Sequence, residues 1–338
     1  MNKNVFLPAD AVRHPHRSPL DRIPALSRGN RLRRLFHSPW RNVVFFALLL
    51  LVPAAAGEAY VRSLPNPAKY KHAYLQAHSR EVKTLVLGSS HTYYGICPEA
   101  LGEDAFSAAQ VSQTLRYDDF LLHHYTFPNL RTVILPVSDF TLYEELEGSA
   151  EWYLANRYRL YMNCDVHGFL SVYAWEITAF RSFAEKLKSL FRPPRMRWSA
   201  TGQGLEYAFP GLPKNKEWLE SGKERARHNH YADLSAGRRG EAYLQHIGDF
   251  CRTHGVKLVL VSTPVHASYR AHRSRRQWAD TQRRVRRFLS RYREAVYLDF
   301  SADPRFGIDD FYDTDHLNSA GARKLSALLR PQCGPQRE

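Results

Sequence analysis

The sequence predicts an α/β domain in which helices cover both faces of a parallel sheet, preceded by one N-terminal transmembrane helix. Three observations lead to this prediction. Short, continuous apolar runs recur along the chain, helical patterns separate the later runs, and residues 42–57 carry no charged side chain. Strands that are apolar throughout are typical of parallel sheets buried on both faces. An uncharged run next to basic residues is typical of a membrane insertion signal.

The N-terminal region is strongly basic. Residues 1–41 hold nine Lys and Arg side chains against Asp10 and Asp21, which is +7 of a net charge of +15. The uncharged run that follows, NVVFFALLLLVPAAAG, is slightly shorter than the roughly 20 residues that span a bilayer, and the flanking Trp40 and Tyr60 extend it into the interface. We therefore interpret residues 1–41 as a basic cytoplasmic head and residues 42–60 as a signal anchor in the lipid bilayer.

This interpretation sets the location of the remaining chain. By the positive-inside rule the head stays in the cytoplasm, so we expect a single-pass protein of the inner (cytoplasmic) membrane whose domain faces the periplasm or exterior. Two alternatives stay open. A cleavable signal would use the small residues Ala54-Ala55-Ala56 as its site, and a soluble cytoplasmic protein would bury the same run as a core helix.

The rest of the chain divides into a stalk, residues 61–80, and a domain, residues 81–332. Residues 192–240 are rich in Pro, Gly and charge and are predicted to be an irregular insertion. Strands are predicted where apolar runs end in turn signals, and helices where apolar residues recur at helical spacing. The predicted strands are residues 82–87, 131–136, 256–262 and 295–299, and the predicted helices are residues 241–254, 277–292 and 319–329.

The cysteines do not indicate a metal site. Cys97, Cys164, Cys251 and Cys333 lie far apart, and no CxxC or Cys/His ligand spacing occurs. We therefore predict neither a metal nor a cofactor. In an exported domain these thiols could be free or could form one or two disulfides, and both alternatives remain open.

A serine follows the first predicted strand directly. The segment Gly88-Ser89-Ser90-His91 comes where that strand ends, and ligands of open parallel sheets bind beyond the carboxyl ends of the strands. A serine hydroxyl is a poor nucleophile without a neighbouring base. The sequence offers such a base in Asp313-Thr314-Asp315-His316, where the Asp313 carboxylate can accept the imidazole Nδ1–H and leave Nε2 to face a serine.

These two motifs together resemble the SGNH/GDSL hydrolases. The resemblance covers about residues 70–330 and includes the segments VLGSSHTYYGICPEAL, AFSAAQVSQTLRYDD, VILPVSDFTLY and VSTPVHASYR. It is closest to a branch of uncharacterised, membrane-anchored members, and it extends to domains that transfer acyl groups to or from envelope glycans. It implies a flavodoxin-like α/β/α fold with Ser90 as nucleophile, His316 as base and Asp313 as the triad acid.

The same resemblance implies where an oxyanion would be stabilised. The second and third motifs of the family usually supply a glycine or asparagine and an asparagine; at these positions this chain has Ser107 and Ser138. We expect the Ser90 N–H and Ser107 to hold the oxyanion, with Ser138 as a further candidate. The implied function is an esterase or O-acyltransferase whose substrate is an acylated glycan or a small acyl ester.

Other polar residues are weaker candidates. His91 adjoins the nucleophile and His266 follows the third predicted strand, so both could lie near substrate, although local packing explains them as well. Residues 270–294 hold ten Arg against Asp280 and Glu294, which suits either a polyanion contact or a solvated helix face. Nucleic acid is a poor fit for an exported domain.

Two rival functions follow from the same residues. An SGNH-like scaffold would bind glycan in a polysaccharide assembly or export complex without cleaving it, and the serines at positions 107 and 138 favour this rival because they replace the expected oxyanion donors. A soluble cytoplasmic protein is the second rival. Labelling by a serine-directed probe separates the first from an enzyme, and a C-terminal reporter fusion separates the second.

Overall fold

A computed structural model of the chain describes residues 40–102, 104–164, 175–176, 188, 198–204 and 213–333. The chain forms two compact units, Met1–Ala56 and Gly57–Glu338. Nearly all of the predicted basic head, residues 1–39, lies outside the described residues. The first described helix, α1 (Trp40–Ser63), is long and apolar enough to cross a membrane. Its apolar side chains from Val43 to Val52 are exposed, as expected for a helix that meets lipid.

The centre of the second unit is a sheet of five parallel strands in the order β2-β1-β3-β4-β5. This is the flavodoxin-like order, so the predicted fold class is confirmed. The strands are β1 (Thr84–Val86), β2 (Ala105–Ser107), β3 (Thr132–Pro136), β4 (Lys257–Ser262) and β5 (Val296–Asp299). Four of them lie within the predicted runs; β2 was expected only as part of a motif.

Helices pack against this sheet. They are α2 (Pro67–His78), α3 (Ser90–Gly95), α4 (Pro98–Leu101), α5 (Leu115–His124), α6 (Ala155–Met162), α7 (Lys216–His228), α8 (Gly237–Thr253), α9 (Ala267–Arg270), α10 (Arg275–Arg291) and α11 (Ser319–Leu329). Two large hydrophobic clusters form the core. One contains Leu85, Val133 and Leu258, and the other contains Val86, Ile134 and Val259, so alternate strand residues enter opposite layers.

Two segments have more structure than the sequence indicates. Within residues 61–80, expected to be a stalk with helical content, α2 buries Ala68, Lys71 and Leu75 in the α/β unit. Within residues 192–240, expected to be irregular, α7 forms a helix; residues 192–197 and 205–212 of that segment lie outside the described part of the chain. The helix begins at an Asn215 cap whose side chain accepts the Trp218 N–H.

The arginine-rich segment forms helix α10. Three of its arginines pair with carboxylates: Arg283 and Arg284 contact Asp280, and Arg284 and Arg287 contact Glu241 on α8. Part of its charge is therefore used to join two helices of the domain.

Candidate functional site

Ser90 is held at the carboxyl edge of the sheet by a tight turn. Strand β1 ends at Val86 and helix α3 begins at Ser90, so only three residues join them. Gly88 has a φ of +105°, and a Cβ atom at this position would lie 2.1 Å from the Cγ of Pro136. Only glycine combines this backbone conformation with such a close approach of β3. The turn therefore fixes where the Ser90 hydroxyl points.

The segment after β5 forms a closed loop that carries the histidine. An antiparallel bridge joins Phe311 to Leu317 and closes the loop at its base. Inside it, Asp313 Oδ1 accepts the backbone N–H groups of Asp315 at 3.1 Å and His316 at 2.8 Å. Asn318 caps the helix that follows by accepting the N–H groups of two residues in its first turn. Both ends of the loop are thus fixed, and so is the histidine between them.

The loop and the turn meet across the edge of the sheet. Ser90 Oγ lies 2.8 Å from His316 Nε2, although 226 positions separate the two residues. On the other side of the ring, His316 Nδ1 lies 3.0 Å from Asp313 Oδ1. His316 and Asp313 are buried, whereas Ser90 is partly exposed. The structure therefore brings together the three residues expected to form a triad, in an order that lets a proton pass from the hydroxyl to a steadied imidazole.

This arrangement lies in an open cleft of about 780 Å³. The cleft is large enough for a substrate of several rings. Aromatic and carboxylate side chains line it beside the triad: Tyr94, Phe140, Tyr312, Glu144, Glu151 and Glu224. The cleft combines apolar surface with charged groups, and it opens directly onto the Ser90 hydroxyl.

The two serines expected to stabilise an oxyanion do not line this cleft. Ser107 lies in β2 with no exposed surface, and its Oγ has no hydrogen-bond partner among the residues that the structure describes. Ser138 Oγ instead lies 2.8 Å from the Nδ1 of His91. Its hydroxyl is therefore used to orient a neighbouring histidine.

A different serine, Ser112, is among the residues that line the cleft. Ser112 follows β2 by five positions and has a φ of +55°, which is rare for a residue with a side chain. Its loop is tied to the nucleophile turn, because the Gln110 N–H donates to the Gly88 carbonyl. Ser112 was absent from the predicted set, since a polar residue in a loop gives no local signal of its backbone conformation.

Buried polar side chains hold this loop in place. Asp118 Oδ1 accepts the Gly88 N–H at 2.8 Å and the Gln113 amide at 2.6 Å, and the Tyr158 hydroxyl donates to Gln113 Oε1. Burial raises the pKa of Asp118 to about 7, against opposing hydrogen bonds from Gln113 and Gly88. The nucleophile turn and the Ser112 loop are thus joined through one carboxylate.

The two histidines expected near substrate have different surroundings. His91 lines the cleft, is 3% exposed, and packs edge-to-face on the His316 ring at 5.0 Å between ring centres. His266 caps α9 and contacts Trp218 and Phe311, and it is not among the described residues that line the cleft. Local packing therefore accounts for His266.

A charged residue absent from the predicted set joins the site from α7. Arg225 Nε donates to Asp315 Oδ1, and Nη1 lies 3.4 Å from Asp313 Oδ2. Burial raises the pKa of Asp315, but the charges of His316 and Arg225 and a hydrogen bond from His91 outweigh burial and hold this pKa well below its usual range. Arg225 gave no sequence signal. It lies in a charged segment, and its partner Asp315 is 90 positions further along the chain.

One group of described residues has the composition of a metal site. His91, Asp315 and His316 bring possible ligand atoms within 4.8 Å of one another. The Arg225 guanidinium bonded to Asp315 places a positive charge beside this group, which disfavours a cation there. His91 and Asp315 are better explained as a neighbouring ring and a neighbouring charge beside the imidazole of His316.

Comparisons with known proteins add little. No protein-family model matches the chain, and no curated protein matches it. Among solved structures, a candidate platelet activating factor protein from Streptococcus pneumoniae is similar over 88% of this chain and 100% of its own, at 12% identity and a TM-score of 0.42. A candidate acylhydrolase from Bacteroides fragilis is similar over 77% of this chain and 93% of its own, at 10% identity and a TM-score of 0.39. Such distant likenesses carry no function to this chain.

Proposed function

We propose that this protein is a membrane-anchored, extracytoplasmic serine esterase or O-acyltransferase that acts on acyl esters, in particular acetyl esters, of a cell-envelope or exopolysaccharide glycan. One observation supports it most: Ser90 Oγ lies 2.8 Å from His316 Nε2, and Asp313 lies 3.0 Å from the opposite ring nitrogen. Such an arrangement across a long stretch of sequence is what nucleophilic attack by a serine requires.

In the proposed reaction, Ser90 Oγ attacks the acyl carbonyl carbon while His316 Nε2 takes the hydroxyl proton. His316 then returns this proton to the departing sugar oxygen, which leaves an acyl group on Ser90. Water or the hydroxyl of a second sugar attacks that acyl-enzyme, with His316 again as base; the bond between the acyl carbon and Ser90 Oγ breaks, and His316 returns the proton to Oγ. Water gives hydrolysis and a sugar gives transfer. Asp313 holds the imidazole in the tautomer that both halves need.

The oxyanion that forms during attack needs hydrogen-bond donors in the cleft. Among the described residues, the backbone N–H groups of Ser90 and Ser112 border the cleft and have no hydrogen-bond partner. We assign the oxyanion to these two groups, in place of the side chain of Ser107. Loss of one such donor typically costs about 100- to 1,000-fold in turnover.

The nucleophile is tested by hydrolysis of p-nitrophenyl acetate by the full chain in detergent. Ser90→Ala should reduce kcat by at least about 1,000-fold, because no acyl-enzyme can form. Ser221→Ala is the matched control, because it also removes a serine hydroxyl from the cleft lining. That hydroxyl donates to the Trp218 carbonyl and does not contact His316 in the proposed triad. Equal turnover by wild type and Ser90→Ala would refute the assignment.

The substrate class is tested on isolated envelope polysaccharide. Release of acetate that depends on Ser90 would identify an esterase, and acetylation of a de-O-acetylated polymer would identify a transferase. If p-nitrophenyl acetate is cleaved but no envelope glycan gains or loses acyl groups, the proposed glycan substrate is wrong while the reaction type survives.

One observation favours the scaffold as a second candidate function. The side chains of Ser107 and Ser138 lie outside the cleft lining, so neither replaces the amide expected there. In that case the cleft would bind glycan without reacting with it. Glycan binding that is unchanged in Ser90→Ala, together with no turnover of any acyl ester by wild type, is the result that this candidate predicts.

A further inference from the structure

His316 has two carboxylates beside the same ring nitrogen. Asp313 Oδ1 lies 3.0 Å from Nδ1 and Asp315 Oδ1 lies 3.5 Å from it, and both acids are buried. A serine-activating histidine must be neutral to accept a proton. Two nearby negative charges favour the charged imidazolium instead. A positive charge close to these carboxylates would oppose that effect.

Arg225 supplies that charge. Its guanidinium donates through Nε to Asp315 Oδ1, and Nη1 lies 3.4 Å from Asp313 Oδ2. Nη2 lies 3.1 Å from His316 Nδ1; because Nη2 only donates and the Nδ1 proton is directed at Asp313, this contact places positive charge beside the ring and is not a hydrogen bond. The planar fork of an arginine presents several N–H donors in fixed directions, so one side chain can contact both carboxylates here in a defined geometry. Two carboxylates and one guanidinium carry together a single negative charge, the same as an isolated triad aspartate.

The remaining contacts of Asp315 keep it in this position. Its Oδ2 accepts the Asn229 amide at 3.3 Å and lies 3.5 Å from His91 Nε2. The opposite nitrogen of His91 is fixed by Ser138, at 2.8 Å. The carboxylate of Asp315 is therefore held beside His316 by contacts from α3 and from the C-terminal end of α7.

We propose that Arg225 is a positioning residue that keeps His316 available as a base, by pairing with Asp315 so that Asp313 alone acts on the imidazole. This inference rests on the proposed function. It gives the segment at 192–240 a role in the reaction, because α7 lies within it. It also explains why the carboxylate next to the histidine in sequence, Asp315, does not compete with Asp313.

Other titratable groups lie near the imidazole or line the same cleft, including the carboxylates of Glu144, Glu151 and Glu224, and must stay constant in any test. His91 and Tyr94 come from α3, with ring centres 5.0 Å and 5.9 Å from that of His316. His228 lines the cleft from α7, and Lys214 donates to the carbonyl groups of Phe311 and Tyr312 at the start of the loop. The variants below change none of these groups.

The test is the pH dependence of kcat/KM for an acetyl ester, measured on the full chain in detergent. Arg225→Gln should move the half-maximal pH of the acidic limb upward by about one pH unit, because the uncompensated carboxylates favour the imidazolium. Asp315→Asn should move it downward by a similar amount. The double variant Arg225→Gln/Asp315→Asn removes one charge of each sign and should return the midpoint to that of wild type.

Opposite shifts separate this role from simple structural support. A residue that only holds α7 in place would lower kcat in both single variants without moving their midpoints in opposite directions. Arg225→Lys keeps the positive charge without the fork, so we expect its midpoint to stay near that of wild type while kcat falls. Shifts of the same sign, or none, in enzymes that still depend on Ser90 would overturn the inference and leave the proposed function intact.

A second readout needs no activity. The imidazole of His316 can be titrated by NMR in histidine-labelled full chain, with His316→Gln to assign its signal. The same opposite displacements of the midpoint are expected in the two single variants. If wild type shows no Ser90-dependent turnover, the proposed function fails, and this titration still decides whether Arg225 sets the protonation of His316.

Discussion

At the scale of single residues, the carboxylate of Asp313 makes several contacts in the site at once. One of its oxygens accepts two backbone N–H groups and also faces the imidazole Nδ1. These contacts join residues two or three positions apart, so the Asp-x-x-His spacing alone is enough to predict them. This is why Asp313 and His316 could be recognised from the sequence as a pair.

The serine of the site was predictable for a similar reason. Ser90 follows an apolar strand and a glycine within a few positions, and chain order is enough to place it at the carboxyl edge of a parallel sheet. The proposed oxyanion donors were not predictable in the same way. Ser112 has a positive φ in the loop after β2, and no sequence pattern marks this uncommon conformation at a serine.

Asp118 gives a prediction about stability at the residue scale. Its pKa in the folded protein is about 7, against an ordinary value of 3.8, because it is buried. The folded state therefore holds the proton more tightly than the unfolded chain. The stability that Asp118 contributes is complete below its ordinary pKa and is lost as the pH rises through about 7.

Asp118→Asn removes this titration and keeps an oxygen for the Gly88 and Gln113 donors. Its free energy of unfolding, relative to wild type, should rise by about 2 to 3 kcal/mol between pH 5 and pH 8. Urea unfolding at the two pH values measures this difference. Asp309→Asn, at an exposed position, is the control and should show almost none. A difference between Asp118→Asn and wild type that is the same at both pH values would contradict the account.

At the scale of secondary-structure elements, the connection between β1 and α3 decides where the nucleophile lies. Gly88 adopts a positive φ and approaches the ring of Pro136 in β3. Gly255, which precedes β4, also has a positive φ, of +64°, but nothing lies within 4 Å of where its Cβ would be. The two glycines thus share a backbone requirement and differ in the space around them.

Gly88→Ala and Gly255→Ala therefore form a matched pair. Gly255→Ala should cost about 1 kcal/mol of unfolding free energy, from backbone strain alone. Gly88→Ala should cost about 2 kcal/mol more, because β1 and β3 must separate to admit the methyl group, and it should also lower kcat by displacing Ser90. Urea unfolding and ester hydrolysis measure both effects. Equal costs in the two variants would show that the contact with Pro136 does not constrain the turn.

The elements differ in how well the sequence predicts them. Strands β3, β4 and β5 coincide closely with apolar runs, and α11 has the predicted bounds, because burial along their length leaves a continuous pattern. Strand β2 has three residues, as β1 has, but no longer apolar run surrounds it, so no pattern marks it as a strand. Helix α7 buries only Trp218, Gly222 and Ala226, so its apolar face is too sparse to distinguish it from a loop.

At the scale of the whole molecule, an apolar helix precedes an α/β unit. Helix α1 is long and apolar enough to span a bilayer, and the positive charge before it predicts that the α/β unit faces away from the cytoplasm. The helix follows from the uncharged run in the sequence, whereas the flavodoxin-like sheet was implied by the resemblance of the motifs to a known family. The direction in which the chain crosses the membrane remains a prediction from charge.

Fractionation and reporter fusions test this organisation. The full chain should stay with membranes after alkaline extraction, whereas a chain that begins at Gly57, where the second compact unit begins, should not. A C-terminal alkaline phosphatase fusion should be active and a β-galactosidase fusion inactive. The reverse pair of reporter results would place the site in the cytoplasm, and a shortened, released product would indicate a cleaved signal.

The central claim is that one hydroxyl in this chain reacts as an activated nucleophile. The most direct measurement treats the folded, full-length protein with a fluorophosphonate and locates the adduct by mass spectrometry. We predict one adduct, on the peptide that contains Ser90, formed much more slowly in His316→Gln and absent from Ser90→Ala. A folded wild-type protein that stays unmodified, or an adduct on another residue that persists in Ser90→Ala, would contradict the account.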